Sequence, residues 1–225
     1  MGHRTTRPAT LTSRFRSEPV PDNRASTKPG ALHVNGLVGG WYDSELTAQG
    51  LQAADRIGAA LAARIPPGET VELYSSDLRR TAQTAQAITN YLGIPAVVDA
   101  RLREKSYGIA EGKPQSWLNE RFRTPPRTGE RLRHNEGIAG AETMHGFATR
   151  IYEAMDEILD KPCEHQVIST HGGALTFVAA AFLRLPIDAL QHMRLRAEPG
   201  GITVLREDDY FHNRTLVELN SALLQ

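Results

Sequence analysis

A single cysteine, Cys163, stands in a chain of 225 residues. That excludes an internal disulfide framework and any zinc site built from cysteines, and a reducing, cytoplasmic compartment is expected. Charge of one sign is not in excess either, with 26 Lys and Arg against 26 Asp and Glu. Proteins that live on nucleic acid or anionic lipid carry a basic surplus, so neither is expected as a partner. Long hydrophobic runs are missing. The most apolar stretch, Ala174 to Leu183, is about half of the ~20 residues a membrane span needs and suits a buried helix. The first thirty residues hold no apolar block of the kind a secretory signal uses. No Gly-rich nucleotide loop of the Walker or dinucleotide type is present, which argues against a nucleotide-driven kinase.

What is present divides in two. Residues 1–31 carry five Arg and one Lys against Glu18 and Asp22, four Pro, and seven apolar residues of which no two are adjacent. Such a segment is expected to be disordered, with neither a buried strand nor an amphipathic helix. From Leu32 onward, apolar strands alternate with amphipathic helices. Thr47 caps a helix to about Arg64, with Leu51, Ala54, Gly58, Leu61 and Ile65 on its inner face. Strands are expected at Val71–Tyr74, Ile94–Val98, Gln166–Ser169, Ile202–Leu205 and Leu216–Leu219. Helices are expected at Asp77–Leu92, ended by Gly93, at Met144–Leu159 and at Gly173–Leu183. Residues 112–142, with Pro114, Pro125 and Pro126, suit a loop-rich excursion. The alternation defines an α/β fold with a largely parallel sheet, as one domain over 32–225.

Ligands of open α/β sheets sit at the carboxyl ends of the strands, and three such ends carry related chemistry. Ser75-Ser76-Asp77-Leu78-Arg79-Arg80-Thr81 leads into a helix whose free N–H groups and dipole favour an anion, with arginine as a planar clamp. Arg101-Leu102-Arg103-Glu104-Lys105 places a carboxylate among cations. Ser169-Thr170-His171-Gly172-Gly173 offers a proton donor and acceptor before glycines that admit close backbone approach. Singly, each has a plainer reading: a capped surface helix, a surface ion cluster, a core histidine. Together, cations beside an acid/base suit phosphoryl transfer. His134, His145, His165, His192 and His212 show no metal spacing and are expected to be structural or on the surface, and Cys163 a packed thiol.

These motifs resemble the histidine phosphatase superfamily, with its phosphoglycerate-mutase-like fold, from about Leu32 to Asn220. Gly39-Gly40-Trp41-Tyr42-Asp43-Ser44-Glu45-Leu46-Thr47-Ala48-Gln49-Gly50 is similar to that family's first loop and helix. The Arg80, Glu104 and His171 segments match its arginine, acid and second-histidine motifs, together with Tyr107-Gly108, Glu111-Gly112 and Gly140-Ala141-Glu142-Thr143. The resemblance implies a three-layer sandwich, a small phosphorylated substrate, and no metal or organic cofactor. It assigns catalytic roles to Arg80, Glu104 and His171: neutralising the phosphoryl group, general acid then base, and hydrogen bonding to phosphoryl oxygens. It also implies substrate contacts from Arg80, Gly172, His33, Gly40 and Tyr107. Residues 112–142 stand where the family has its lid. Arg121, Arg123, Arg127, Arg131 and Arg133 there suit a second acidic group, as in a mutase, or else a solvated basic loop. A phosphatase is the reading preferred.

One part of the pattern is missing. The family's Arg-His-Gly, whose histidine attacks phosphorus, should fall near residues 26–30, where Ser26-Thr27-Lys28-Pro29-Gly30 stands. The strand before it is missing too, since Pro21 interrupts residues 20–25. Three readings compete: a misread start, a genuine copy that binds phosphorylated ligands without turnover, or a substitute nucleophile such as His33.

Overall fold

The computed structural model describes residues 7–12, 36–197 and 199–221. In chain order the elements are β1 (Arg7–Thr12), α1 (Ala48–Arg64), β2 (Val71–Ser75), α2 (Arg79–Leu92), β3 (Ala96–Val98), α3 (Gln115–Arg121), α4 (Met144–Leu159), β4 (His165–Ser169), α5 (Ala174–Phe182), β5 (Ile202–Glu207) and β6 (Arg214–Ser221). The strands form one sheet in the order β3-β2-β4-β1-β5-β6. β3, β2, β4 and β1 run parallel, β5 is antiparallel to β1, and β6 is antiparallel to β5.

Period-two alternation sorts the strands onto two cores. Leu73 of β2 and Val167 of β4 pack with Ile57, Leu61, Ala85 and Ile88 of α1 and α2. Their neighbours Tyr74 and Ile168 face the other way, onto Phe147, Ile151 and Met155 of α4 and Phe177 of α5. Phe147 and Phe177 meet edge to face with centroids 5.1 Å apart. All nine residues of α5 are buried, and no described helix is long and apolar enough to cross a membrane.

The helix signals act locally as expected. Thr47 Oγ1 accepts from the Gly50 amide at 3.1 Å, and Gly93 closes α2 in the left-handed region at φ 70°. The inner face of α1 differs from the sequence reading. Leu51 is 47 % exposed, and Gly50, Ala53, Ala54, Ile57, Gly58 and Leu61 are buried. The close approach of α2 decides this. A Cβ at Gly58 would lie 2.5 Å from Cδ2 of Tyr91 and 2.9 Å from the Ala87 carbonyl. α2 opens two residues later than expected: Leu78 is its N-cap, Asp43 Oδ1 accepts from the Arg79 amide at 2.8 Å, and the Asp77 carboxylate is taken by Arg103.

Two expectations are corrected. No strand was expected in residues 1–31, yet Arg7–Thr12 forms β1 between β4 and β5. Both neighbours need a ladder partner on that side, and Ala9-Thr10-Leu11-Thr12 supplies a small, β-branched backbone that a search for apolar runs overlooks. Pro8 sits near the strand's start, where a missing donor is tolerated. The other residues discussed there, including 20–25, Ser26–Gly30 and His33, lie outside the described residues. The second correction is α3, a helix inside the stretch read as loop. Pro114 opens it, a common helix start, and Leu118 anchors it in a small core with Val38, Ala110 and Ile138.

Candidate functional site

The carboxyl ends of the four parallel strands are aligned. Thr12 pairs with Ser169, Ser169 with Ser75, and Ser75 with Val98. The three motif segments therefore leave the sheet from one row. Thr170 Oγ1 donates to the Leu102 carbonyl at 2.9 Å, tying the β4 end to the segment that carries Glu104.

Arg80, Glu104 and His171 are all buried, at 3 %, 4 % and 0 % exposure. Arg80 lies in the first turn of α2. Its Nη2 donates to the Gly40 carbonyl at 2.7 Å and its Nη1 to the Tyr42 carbonyl at 2.9 Å. His171 Nε2 shares a 2.8 Å hydrogen bond with Ser76 Oγ, which also lies 2.6 Å from Thr81 Oγ1. Glu104 spends one oxygen on each side: Oε1 accepts from the Lys105 amide at 2.9 Å and Oε2 from the Gly173 amide at 3.0 Å. Trp41 closes the circuit, its indole N–H donating to the Glu104 carbonyl at 2.7 Å. Contacts thus run from Arg80 through the Gly40–Trp41 turn to Glu104, on to Gly173 and His171, and back through Ser76 and Thr81.

The two glycines after His171 differ in purpose. A Cβ at Gly173 would crowd Glu104 Oε1, so any larger residue there would push the carboxylate off its amide donors. At Gly172 a Cβ would meet Ala197 at an ordinary 3.8 Å. Tyr107 lies beside Gly40, its Cδ2 3.0 Å from where a Cβ would stand there, with its ring centroid 4.3 Å from Lys105 Nζ. Lys105 pairs with Glu136 at 2.7 Å, both largely buried.

Several supporting residues escaped the sequence reading. Arg150 of α4 donates to the carbonyls of Arg101, Arg103 and Glu104 at 2.6–2.8 Å and forks onto Glu142. Trp41 carries the Arg103 guanidinium 4.8 Å from its ring centroid. Ser76 was visible only as a helix-leading serine. Three arginines of residues 112–142 have partners in that stretch and beyond it: Arg121 over Trp117 at 4.4 Å, Arg131 on the Pro126 and Gln191 carbonyls, and Arg133 with Glu130 and Asp188. His145 contacts Thr149 and Arg133, and the Cys163 thiol donates to the His165 carbonyl at 3.1 Å.

At the rim, Arg103 forks onto Asp77, its Nε 2.6 Å from Oδ1. This hydrogen bonding holds the Asp77 carboxyl below its ordinary value near 3.8. A carboxyl depressed in the fold contributes stability that is complete above the unfolded value and is lost as pH falls through the folded one. Asp77→Asn should therefore lower the melting temperature at pH 7, and the gap from the parent should close below the ordinary carboxylate range, near pH ~4. Thermal melts of both proteins across that range test this; a gap that persists undiminished in acid would refute it.

Fold and site together define a class. The family model of the histidine phosphatase superfamily (branch 1) matches residues 30–221, and the chain belongs to that family. Among curated relatives, the probable phosphoglycerate mutase GpmB of Yersinia pestis (strain Pestoides F) is 33 % identical over 165 residues, covering 71 % of this chain and 73 % of the relative. Among solved structures, the native mycobacterial glucosyl-3-phosphoglycerate phosphatase aligns at a TM-score of 0.70 and 22 % identity, covering 97 % of this chain and all of that one. The complex of that phosphatase with inorganic phosphate aligns at 0.66 and 20 % identity, over 96 % and 97 % of the two chains. At these identities the structures speak for the fold.

Proposed function

We propose that this chain binds a small phosphorylated ligand at the carboxyl ends of its parallel strands, in a site of phosphomonoesterase type, with residues 112–142 as its lid. The observation that carries this is the buried Arg80 fork at the start of α2, on the same ring of contacts as His171 and Glu104. A buried guanidinium and a helix N-terminus together attract a dianion. A phosphate-bound structure of a protein with this fold supports that ligand class. Glu104 takes the role of general acid, and His171 that of donor to the phosphoryl oxygens. A phosphatase is favoured over a mutase, because Arg121 is engaged by Trp117, Arg131 by the Pro126 and Gln191 carbonyls, and Arg133 by Glu130, Asp188 and His145.

With the residues as they stand, turnover through a phospho-histidine is negligible. Among the described residues, the histidine at the strand ends is His171, and its Nε2 is engaged by Ser76. No Arg-His-Gly occurs in the sequence. Titration calorimetry with inorganic phosphate, alongside p-nitrophenyl phosphate hydrolysis, tests both halves. Saturable phosphate binding with hydrolysis at background is expected. No phosphate binding would sink the ligand class, and burst release at an ordinary enzymatic rate would overturn the assignment of negligible turnover.

A further inference from the structure

The carbonyl of Gly40 and the amide of Trp41 belong to one peptide plane. On its oxygen side stands the Arg80 guanidinium, donating at 2.7 Å. On its hydrogen side stands Glu111, whose Oε1 accepts from the Trp41 amide at 3.0 Å. A cation and an anion thus face each other through a single peptide unit, aligned with its dipole. Each bond polarises the peptide in the sense that strengthens the other. The next carbonyl, Tyr42, takes the second arm of the Arg80 fork.

Glu111 is itself fixed. The same Oε1 accepts from Ser106 Oγ at 2.9 Å and from the Tyr107 amide at 2.8 Å. The turn it holds needs holding. Gly40 sits at φ +66°, a conformation glycine enters and leaves readily. The fit is close, since a Cβ at Gly40 would lie 2.8 Å from Glu111 Oε1 and 2.9 Å from the Lys105 carbonyl.

We propose that Glu111 is a positioning residue for Arg80: a carboxylate that does not touch the arginine sets its orientation by clamping the Gly40–Trp41 peptide between them. This deepens the phosphate-site reading and rests on it for its functional consequence. Nothing in the Glu111-Gly112 motif as sequence distinguishes this role from a surface acid.

Three variants test it. All three contacts go to one oxygen, so Glu111→Gln keeps an acceptor in place while Glu111→Ala removes it. Ser106→Ala removes one of the three donors that fix it. Two readouts are needed: phosphate affinity by calorimetry, and the Arg80 Nε–H resonance in ¹⁵N-labelled protein, assigned by its loss in Arg80→Lys. Glu111→Ala should weaken phosphate binding tenfold or more and shift or broaden the Arg80 resonance; tenfold corresponds to ~1.4 kcal/mol. Glu111→Gln should stay within about threefold of the parent, below ~0.7 kcal/mol by the same conversion, with the resonance retained, and Ser106→Ala should fall between. An unchanged resonance and affinity in Glu111→Ala would overturn the inference, as would equal loss in the alanine and glutamine variants. Should the parent protein bind no phosphate, the functional reading fails, and the Arg80 resonance still decides the clamp.

Discussion

Arg80→Ala is expected to weaken inorganic phosphate binding by about 100-fold or more. Hydrogen bonds to charged groups contribute about 1.5–3 kcal/mol each, and a forked pair toward a dianion doubles that. Arg80→Lys keeps the charge but loses the planar fork, and should recover only part of the affinity. The alanine variant has a second cost. The Gly40 and Tyr42 carbonyls lose the guanidinium they accept from, so stability should also fall, by about 1–3 kcal/mol for each buried carbonyl left unpaired. Measuring affinity below the melting transition of each variant separates the two effects. Parent-like affinity in a folded Arg80→Ala protein would end the phosphate reading, and His171→Ala should weaken binding in the same assay.

The largest effect on the fold is expected at Arg150. Its guanidinium answers three carbonyls in the Arg101–Glu104 segment and the Glu142 carboxylate. Its side chain is 15 % exposed. Arg150→Met fills the space and leaves those acceptors and a half-buried acid without their donor. Removing one partner of such a network costs about 3–5 kcal/mol. For a domain of this size that is roughly 6–20 °C in melting temperature. The segment released is the one whose end is Glu104, so phosphate affinity should fall with stability. A melting temperature within a degree or two of the parent would show that Arg101–Glu104 is held by other means.

How much of this the sequence shows depends on how local each cause is. Thr47, Gly93 and the stripe of Phe147, Ile151 and Met155 act within one helix, and the elements they mark stand where expected. The α/β class follows from the same periodicity. Arg80, Glu104 and His171 are legible because each lies within six residues of a strand's carboxyl end, and strand ends in a parallel sheet converge. What holds them is not legible. Arg150 acts from a helix far along the chain and spends its bonds on backbone carbonyls, which have no signature in side-chain identity. The Trp41 indole likewise spends its donor on a backbone carbonyl, a role its identity does not announce. α3 is short, and its burial depends on the Val38 and Ala110 segments meeting it in space. β1 is not legible, because its place is dictated by two strands that need a neighbour while its own sequence holds no apolar run.

The position of β1 also dictates when the molecule can close. Its partners are β4 and β5, so Thr12 must find Ser169 and Arg7 must find Glu207. A strand from the beginning of the chain is wedged between strands made near its end. Such distant pairings are slow to form, because loop entropy is spent before any contact rewards it. During synthesis β1 is made first and waits, or pairs with something else, until β4 and β5 have been made to receive it. Refolding should accordingly show a late step in which the two halves of the sheet are joined, and chaperone dependence should track access to that N-terminal segment.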